Sequence, residues 1–229
     1  MRFVAETGST NADLLAEAGQ GAAEGAWLRA GRQTAGRGRL GRSWASAPRN
    51  LFASTLVRLR PADPPAPGLA LVAAVALDEA MRRHAPDAAL SIKWPNDLML
   101  GSAKLAGILL ERSGEAVVAG FGVNLASAPD VPGRTTAALG AAVGPEALCE
   151  TLADCFAAWL ARWRADGLEP VRQQWMARAY PDGTALRVAM PGAEAVDGVY
   201  RGLTADGALR LETATETIEV RAGDVFLIS

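Results

Sequence analysis

"RQTAGRGRLGRSW", Arg32 to Trp44, is the stretch on which the reading of this chain turns. It carries four arginines and no acid. Gly36 to Gly41 spells G-R-G-R-L-G, a letter-for-letter match to the dinucleotide pattern G-x-G-x-x-G. A Rossmann turn of that kind follows a strand, opens a helix and meets an acid about 20 residues further on. "GAWLRAGRQ" supplies the strand, but "RSWASAPRNLF" follows, with Pro48 and strand-forming residues where a helix should open. The region near Asp63 is a proline-rich turn. The three glycines are therefore no Rossmann turn, and no G-x-x-x-x-G-K-S/T phosphate loop is present.

The loop still has a chemistry. Glycine lets a backbone approach a ligand closely, and guanidinium forks fit phosphate and carboxylate. Arg37, Arg39 and Arg42 alternate with other residues, so at least two can aim at one anion, and Trp44 offers a stacking face. The residues alone leave three readings open: a ligand loop, a solvated basic surface loop and an RNA-binding patch.

The bulk numbers narrow the field. The 229 residues are half hydrophobic and carry a net charge of -2, so the molecule is not built to coat nucleic acid, and any basic site is local. A chain of this length builds its core without disulfides. Cys149 and Cys155 lie six apart in a helical stretch and face different ways, which argues against a local bridge and for a reducing, cytoplasmic setting. "MRFVAETGSTNADLL" has no apolar leader core, and "LALVAAVALDEAM" is too short to span a membrane. The one histidine, His84, sits at the end of that helix and reads as a surface residue, so histidine chemistry is not expected. Of 23 basic residues only Lys93 and Lys104 are lysines. In an arginine-biased chain, two lysines eleven residues apart suggest work for a compact point charge on a thin stem.

Periodicity sketches the rest. "GSTNADLLAEAG" reads as a helix capped by Ser9 or Thr10. "NLFASTLVRL" reads as a strand and "LSIKWPNDLML" as one strand broken by proline. "KLAGILLERSGEAVVAGFGVNLA" reads as a hairpin about Ser113-Gly114. Leu148, Leu152, Phe156, Trp159 and Trp163 form a buried helical stripe, and "EPVRQQWMARA" is a further helix. From Tyr180 the texture changes to short strands split by Pro-Gly and Asp-Gly, which places a domain boundary near Pro181: residues 1–180, then 181–229.

Four segments in order decide among the open readings: "GSTNADL", "QTAGRGRLGRSW", "KWPNDLMLGSAKLAGILLE" and "GFGVNL". Together they resemble the catalytic core of bacterial biotin protein ligases over essentially the whole chain. The resemblance implies an α+β fold. A mixed sheet flanked by helices, of the class II synthetase-like biotin–lipoate ligase type, would precede a small SH3-like β-barrel. It implies ATP with Mg²⁺ as co-substrate, biotin as substrate and a biotin carboxyl carrier domain, as of acetyl-CoA carboxylase, as protein partner. Monomer and homodimer both stay open. The Ser-Thr-Asn segment starts at Ser9, which leads to the expectation of a monofunctional ligase without the DNA-binding domain of many relatives.

Carried over by motif, Ser9, Thr10, Asn11 and Gln33 hold biotin. Arg37, Gly38 and Arg39 form a loop over biotin and phosphate, Arg42 meets the ATP phosphates, and Trp44 covers the adenine side. By the same resemblance Lys104 would reach the biotin carboxylate and then the adenylate phosphate, and Lys93 would contact phosphate. Asn96 and Asp97 orient the incoming amine, with Asp97 a candidate to bind or deprotonate it. Asn124 lies by adenine, while Gly107 and Gly122 let backbone pack beside the ligand. A lipoate or octanoate ligase on the same fold is the second reading, and a nucleic-acid-binding module the third.

Overall fold

The computed structural model describes residues 1–140 and 143–228; Ser229, the last residue of the expected C-terminal domain, lies outside them. Five strands of the larger sheet come from segments of plain β character: β2 (Trp27–Gln33), β3 (Leu51–Arg58), β5 (Asp97–Leu100), β6 (Ala103–Ser113) and β7 (Ala116–Val123). Two more flank them, β1 (Arg2–Thr7) and β4 (Leu90–Lys93), giving the order β1-β2-β3-β7-β6-β5-β4. β1 and β2 run parallel, joined by helix α1 (Thr10–Gly19), and every other neighbouring pair is antiparallel. "LSIKWPNDLML" is thus two short paired strands, β4 and β5, rather than one broken one, turning at a cis Trp94–Pro95 bond.

Each face of the sheet has its own cover. On one, Leu14 and Ala18 of α1 pack with Leu28, Leu56 and Val118. Ser9 caps this helix by accepting from the Ala12 amide at 3.4 Å. On the other lie α2 (Leu69–His84), α3 (Pro145–Asp166) and α4 (Glu169–Arg178). α2 is buried almost all round, as its unbroken apolar run requires, and ends in Arg82, Arg83 and His84, charges that suit a helix C-terminus. His84 is only partly exposed, and its ring nitrogen meets Thr151 Oγ1 at 2.8 Å. The α3 stripe from Leu148 to Trp163 is buried, and both cysteines are buried free thiols.

From Ala185 onward the chain makes a five-stranded antiparallel sheet, in the order β11-β10-β9-β8-β12. Its strands are β8 (Ala185–Ala189), β9 (Val196–Leu203), β10 (Leu209–Glu212), β11 (Thr217–Val220) and β12 (Asp224–Leu227). This sheet does not stand apart. Leu186, Tyr200, Leu209 and Leu211 belong to the same apolar core as Val72, Trp94 and Trp175. Trp94 Nε1 donates to the Gly207 carbonyl at 3.2 Å, and Arg172 to the Leu203 carbonyl at 3.0 Å.

Candidate active site

Cross-strand register puts the chemistry in one row. Lys93 on β4 pairs with Asp97 on β5, Asp97 with Gly107 on β6, and Gly107 with Gly122 on β7. Lys104 and Gly107 are three residues apart and would face opposite sides of a regular strand. A bulge between Leu98 and Met99 of β5 leaves Leu105 extra on β6. The added residue turns Lys104 onto the face of Gly107. Its Nζ there lies 2.6 Å from Asp97 Oδ1, while Lys93 Nζ lies 3.5 Å from Oδ2. Burial pushes the Lys93 ammonium below the ordinary lysine value, and the Asp97 charge offsets part of that shift.

Trp44 explains the paired glycines. Its indole packs against Gly122 and Gly107; a Cβ on Gly107 would come within 2.9 Å of the ring, and one on Gly122 would collide with it. Lys104 Nζ sits 5.3 Å from the ring centroid, and the Trp44 Nε1 is buried without a partner among the described residues.

The arginine loop is a compact turn. Trp44 N donates to Gly36 O at 2.9 Å and Gly38 N to Arg42 O at 2.7 Å. Leu40 sits at its tip with φ 57° and is exposed. The three arginines do not converge on one anion. Arg37 lies 3.5 Å from Glu111, and Arg39 donates to Asn96 Oδ1 at 3.3 Å and to the Gly223 carbonyl at 3.2 Å. Arg42 forms a two-armed pair with Asp224 of β12, and Arg134 approaches the same carboxylate at 3.7 Å. The Arg42 hydrogen bonds hold the Asp224 carboxyl below its usual range.

A neutral cluster lies at the start of α1. The Thr10 amide donates to Gln33 Oε1 at 2.8 Å, and Thr10 Oγ1 lies 3.1 Å from the same oxygen. Asn11 is fully engaged within the protein. Its Nδ2 donates to Leu109 O and Glu111 Oε2, and its Oδ1 accepts from Ser54. It rests on Gly120, where any Cβ would strike its amide. Asn96 donates to the Ile108 carbonyl at 2.6 Å. Asn124 donates to Ala137 O at 3.2 Å, while its Oδ1 is buried without a partner among the described residues.

All the residues selected from the sequence line one cavity of about 710 Å³: Ser9 to Asn11, Gln33, Arg37 to Arg39, Arg42, Trp44, Lys93, Asn96, Asp97, Lys104, Gly107, Gly122 and Asn124. The sequence reading missed Arg134, Tyr180 and Asp224 in the same wall, and Ser54 just behind it. Tyr180 stands in register beside Lys93, because Ala179 bridges Ile92, and burial with the Asp97 charge pushes its phenol up to about 12. Only Ser54 left a readable sign: Ser54-Thr55 interrupts an apolar strand, and buried polar groups need partners. Among the described residues no three His, Cys, Asp or Glu side chains gather as a metal site.

The family model "Biotin/lipoate A/B protein ligase family" matches residues 6–125, and "Biotin protein ligase C terminal domain" matches residues 186–228. A biotin–[acetyl-CoA-carboxylase] ligase of Paracoccus denitrificans is 42% identical, across 98% of this chain and 99% of its own. One of Mycobacterium tuberculosis is 38% identical, across 97% and 86%. The biotin protein ligase of Aquifex aeolicus, solved with biotin and ATP, superposes with a TM-score of 0.86 at 22% identity, covering 99% of this chain and 98% of that one.

Proposed function

The chain belongs to the biotin/lipoate A/B protein ligase family, and from that premise we propose that it is a biotin protein ligase that adenylates biotin with ATP and passes the acyl group to a carrier lysine. The observation that carries this reading is one cavity holding both kinds of recognition. Six cations (Arg37, Arg39, Arg42, Lys93, Lys104 and Arg134) line it and meet three carboxylates, Asp97, Asp224 and the Glu111 beside Arg37, leaving three positive charges for a triphosphate. The same cavity holds the neutral Ser9, Thr10 and Gln33, which suit a urea ring.

In the first step an oxygen of the biotin carboxylate attacks the α-phosphorus of ATP, and the bond to the β-phosphate breaks to release pyrophosphate. The carboxylate is already ionised at neutral pH and needs no base. The protein's work is to bring two anions together, which cations and alignment accomplish. Lys104 leaves Asp97 for the carboxylate and then the adenylate phosphate; Lys93, Arg39 and Arg42 take phosphate oxygens, with Arg37 and Gly38 closing over biotin. Mg²⁺ arrives with the triphosphate as part of the substrate. Asn124 Oδ1, an acceptor without a partner among the described residues, receives the adenine amino group, and Trp44 stacks on the ring.

In the second step a lysine amine of the carrier attacks the acyl carbon, the anhydride C–O bond breaks and AMP leaves. A lysine is mostly protonated at neutral pH. Asp97, released as Lys104 turns to phosphate, takes that proton, and Asn96 orients the amine. The carrier is a biotin carboxyl carrier domain of acetyl-CoA carboxylase or another biotin-dependent carboxylase. We place the reaction in the cytoplasm, without DNA or membrane as partner, by a monomer or homodimer; no described helix is long and apolar enough to cross a membrane.

ATP–pyrophosphate exchange tests the proposal, with biotin, lipoate and octanoate run side by side. Exchange with biotin alone is expected; exchange with lipoate or octanoate instead would keep the fold and replace the substrate.

A further inference from the structure

Ser54 belongs to no motif and is fully buried in the middle of β3. Its Oγ lies 2.6 Å from Asn11 Oδ1 and 2.7 Å from Thr10 Oγ1. Thr10 Oγ1 in turn lies 3.1 Å from Gln33 Oε1. Four oxygens thus form a chain of three contacts, and its two ends have fixed polarity. The Asn11 amide cannot be reversed, because its nitrogen faces two acceptors, Leu109 O at 3.2 Å and Glu111 Oε2 at 2.8 Å. Gln33 cannot be reversed either, because its Oε1 receives the Thr10 backbone N–H at 2.8 Å.

Both ends are therefore acceptors. Only two hydroxyl protons, those of Ser54 and Thr10, are available for the three contacts. One contact goes without a proton. The longest, Thr10 to Gln33, is the least costly to leave bare, and Gln33 Oε1 is already served by the backbone. The Ser54 proton then goes to Asn11, and the Thr10 proton goes to Ser54.

We propose that Ser54 is a positioning residue for the biotin site: by accepting the Thr10 proton it holds that hydroxyl with its lone pairs toward the cavity, as an acceptor for a ligand N–H. The inference rests on the ligase reading and adds to it a residue that touches no substrate. A urea ring offers N–H donors, whereas a plain acyl chain offers none. Without Ser54 the Thr10 proton is free to turn into the cavity against the ligand's own N–H, and Asn11 Oδ1 loses its donor.

The test is biotin binding by calorimetry, together with KM for biotin and for ATP in exchange, on the full chain. Ser54→Ala is expected to weaken biotin about tenfold or more, the loss of one or more buried hydrogen bonds, with KM for ATP unchanged. In a Thr10→Val background the same substitution is expected to cost clearly less, because the hydroxyl it directs is gone and only the contact to Asn11 is left to lose. Ser54→Thr, which keeps the hydroxyl, should bind biotin at least fivefold more tightly than the isosteric Ser54→Val. Additive losses in the cycle, or equal binding by the Thr and Val variants, would overturn the assignment and leave only packing. A wild-type chain without biotin-dependent exchange would instead overturn the ligase reading itself.

Discussion

The two halves of the cavity wall are built on opposite plans. Around Ser9, Thr10, Asn11 and Gln33 the groups are neutral, and most are already bonded to one another or to the backbone. Around Lys93, Asp97, Lys104, Arg42 and Asp224 they are charged, and each cation rests on a protein carboxylate. A neutral network costs little to keep while empty and is rigid when a ligand comes. A bare cluster of cations would repel itself, so the chain carries stand-in anions that a phosphate or carboxylate can replace. In the proposed ligase, recognition by shape and recognition by exchange of counter-ions would thus share one chamber.

That contrast can be broken at several points. The largest effect is expected from ending the chain at residue 180. Leu186, Leu209 and Leu211 are buried in the common core, each worth about 1.5–3 kcal/mol, against a total stability of about 5–15 kcal/mol. The truncated chain should lose cooperative unfolding as well as exchange; a folded, active truncation would mean that the C-terminal sheet lends neither core nor Asp224. Next, Lys104→Arg should lower biotin-dependent exchange roughly 10²–10³-fold, the scale of removing one preorganised charge contact. A thinner, shorter point charge is what fits beside Gly107 and Asp97, and near-normal exchange by the arginine form would deny that.

Thr10→Val probes the neutral half. KM for biotin should rise roughly ten- to a hundredfold, the equivalent of a lost hydrogen bond of about 1–3 kcal/mol, while KM for ATP stays put. An equal rise in both would erase the distinction between the two halves. The smallest effect concerns pH. Burial lowers Lys93 from its ordinary 10.5, so its charge is present below that lowered value and lost as pH rises through it. The alkaline limb of exchange should fall below 10.5. Lys93→Arg, which stays charged, should carry the limb upward; an unmoved limb would assign it to another group.

Much of the fold is legible in the sequence alone. The α2 run and the α3 stripe are periodic over many turns, and the β6–β7 hairpin has long apolar arms, so helix and strand declare themselves. β1 does not, because "RFVAET" is an edge strand largely exposed to solvent and shows no clean alternation. The bulge that turns Lys104 is a property of pairing between β5 and β6, which a single strand's letters do not carry. Asp224 reaches Arg42 across 182 residues, from a segment that reads as a turn and a short strand. The motif residues are legible as a set. Their mutual pairings are not, since those depend on register and on a C-terminal sheet fused into the same core.

The indole lying across Gly107 and Gly122 ties three distant positions into one hereditary unit. Across relatives of this chain, positions 44, 107 and 122 should drift together or not at all. A lineage that shrinks the aromatic frees both glycines to acquire side chains, and one that first gains a side chain at 122 evicts the ring. Covariation among those three columns, sought in an alignment deep enough to contain such exceptions, is the trace that a pair of missing methyl groups leaves in descent.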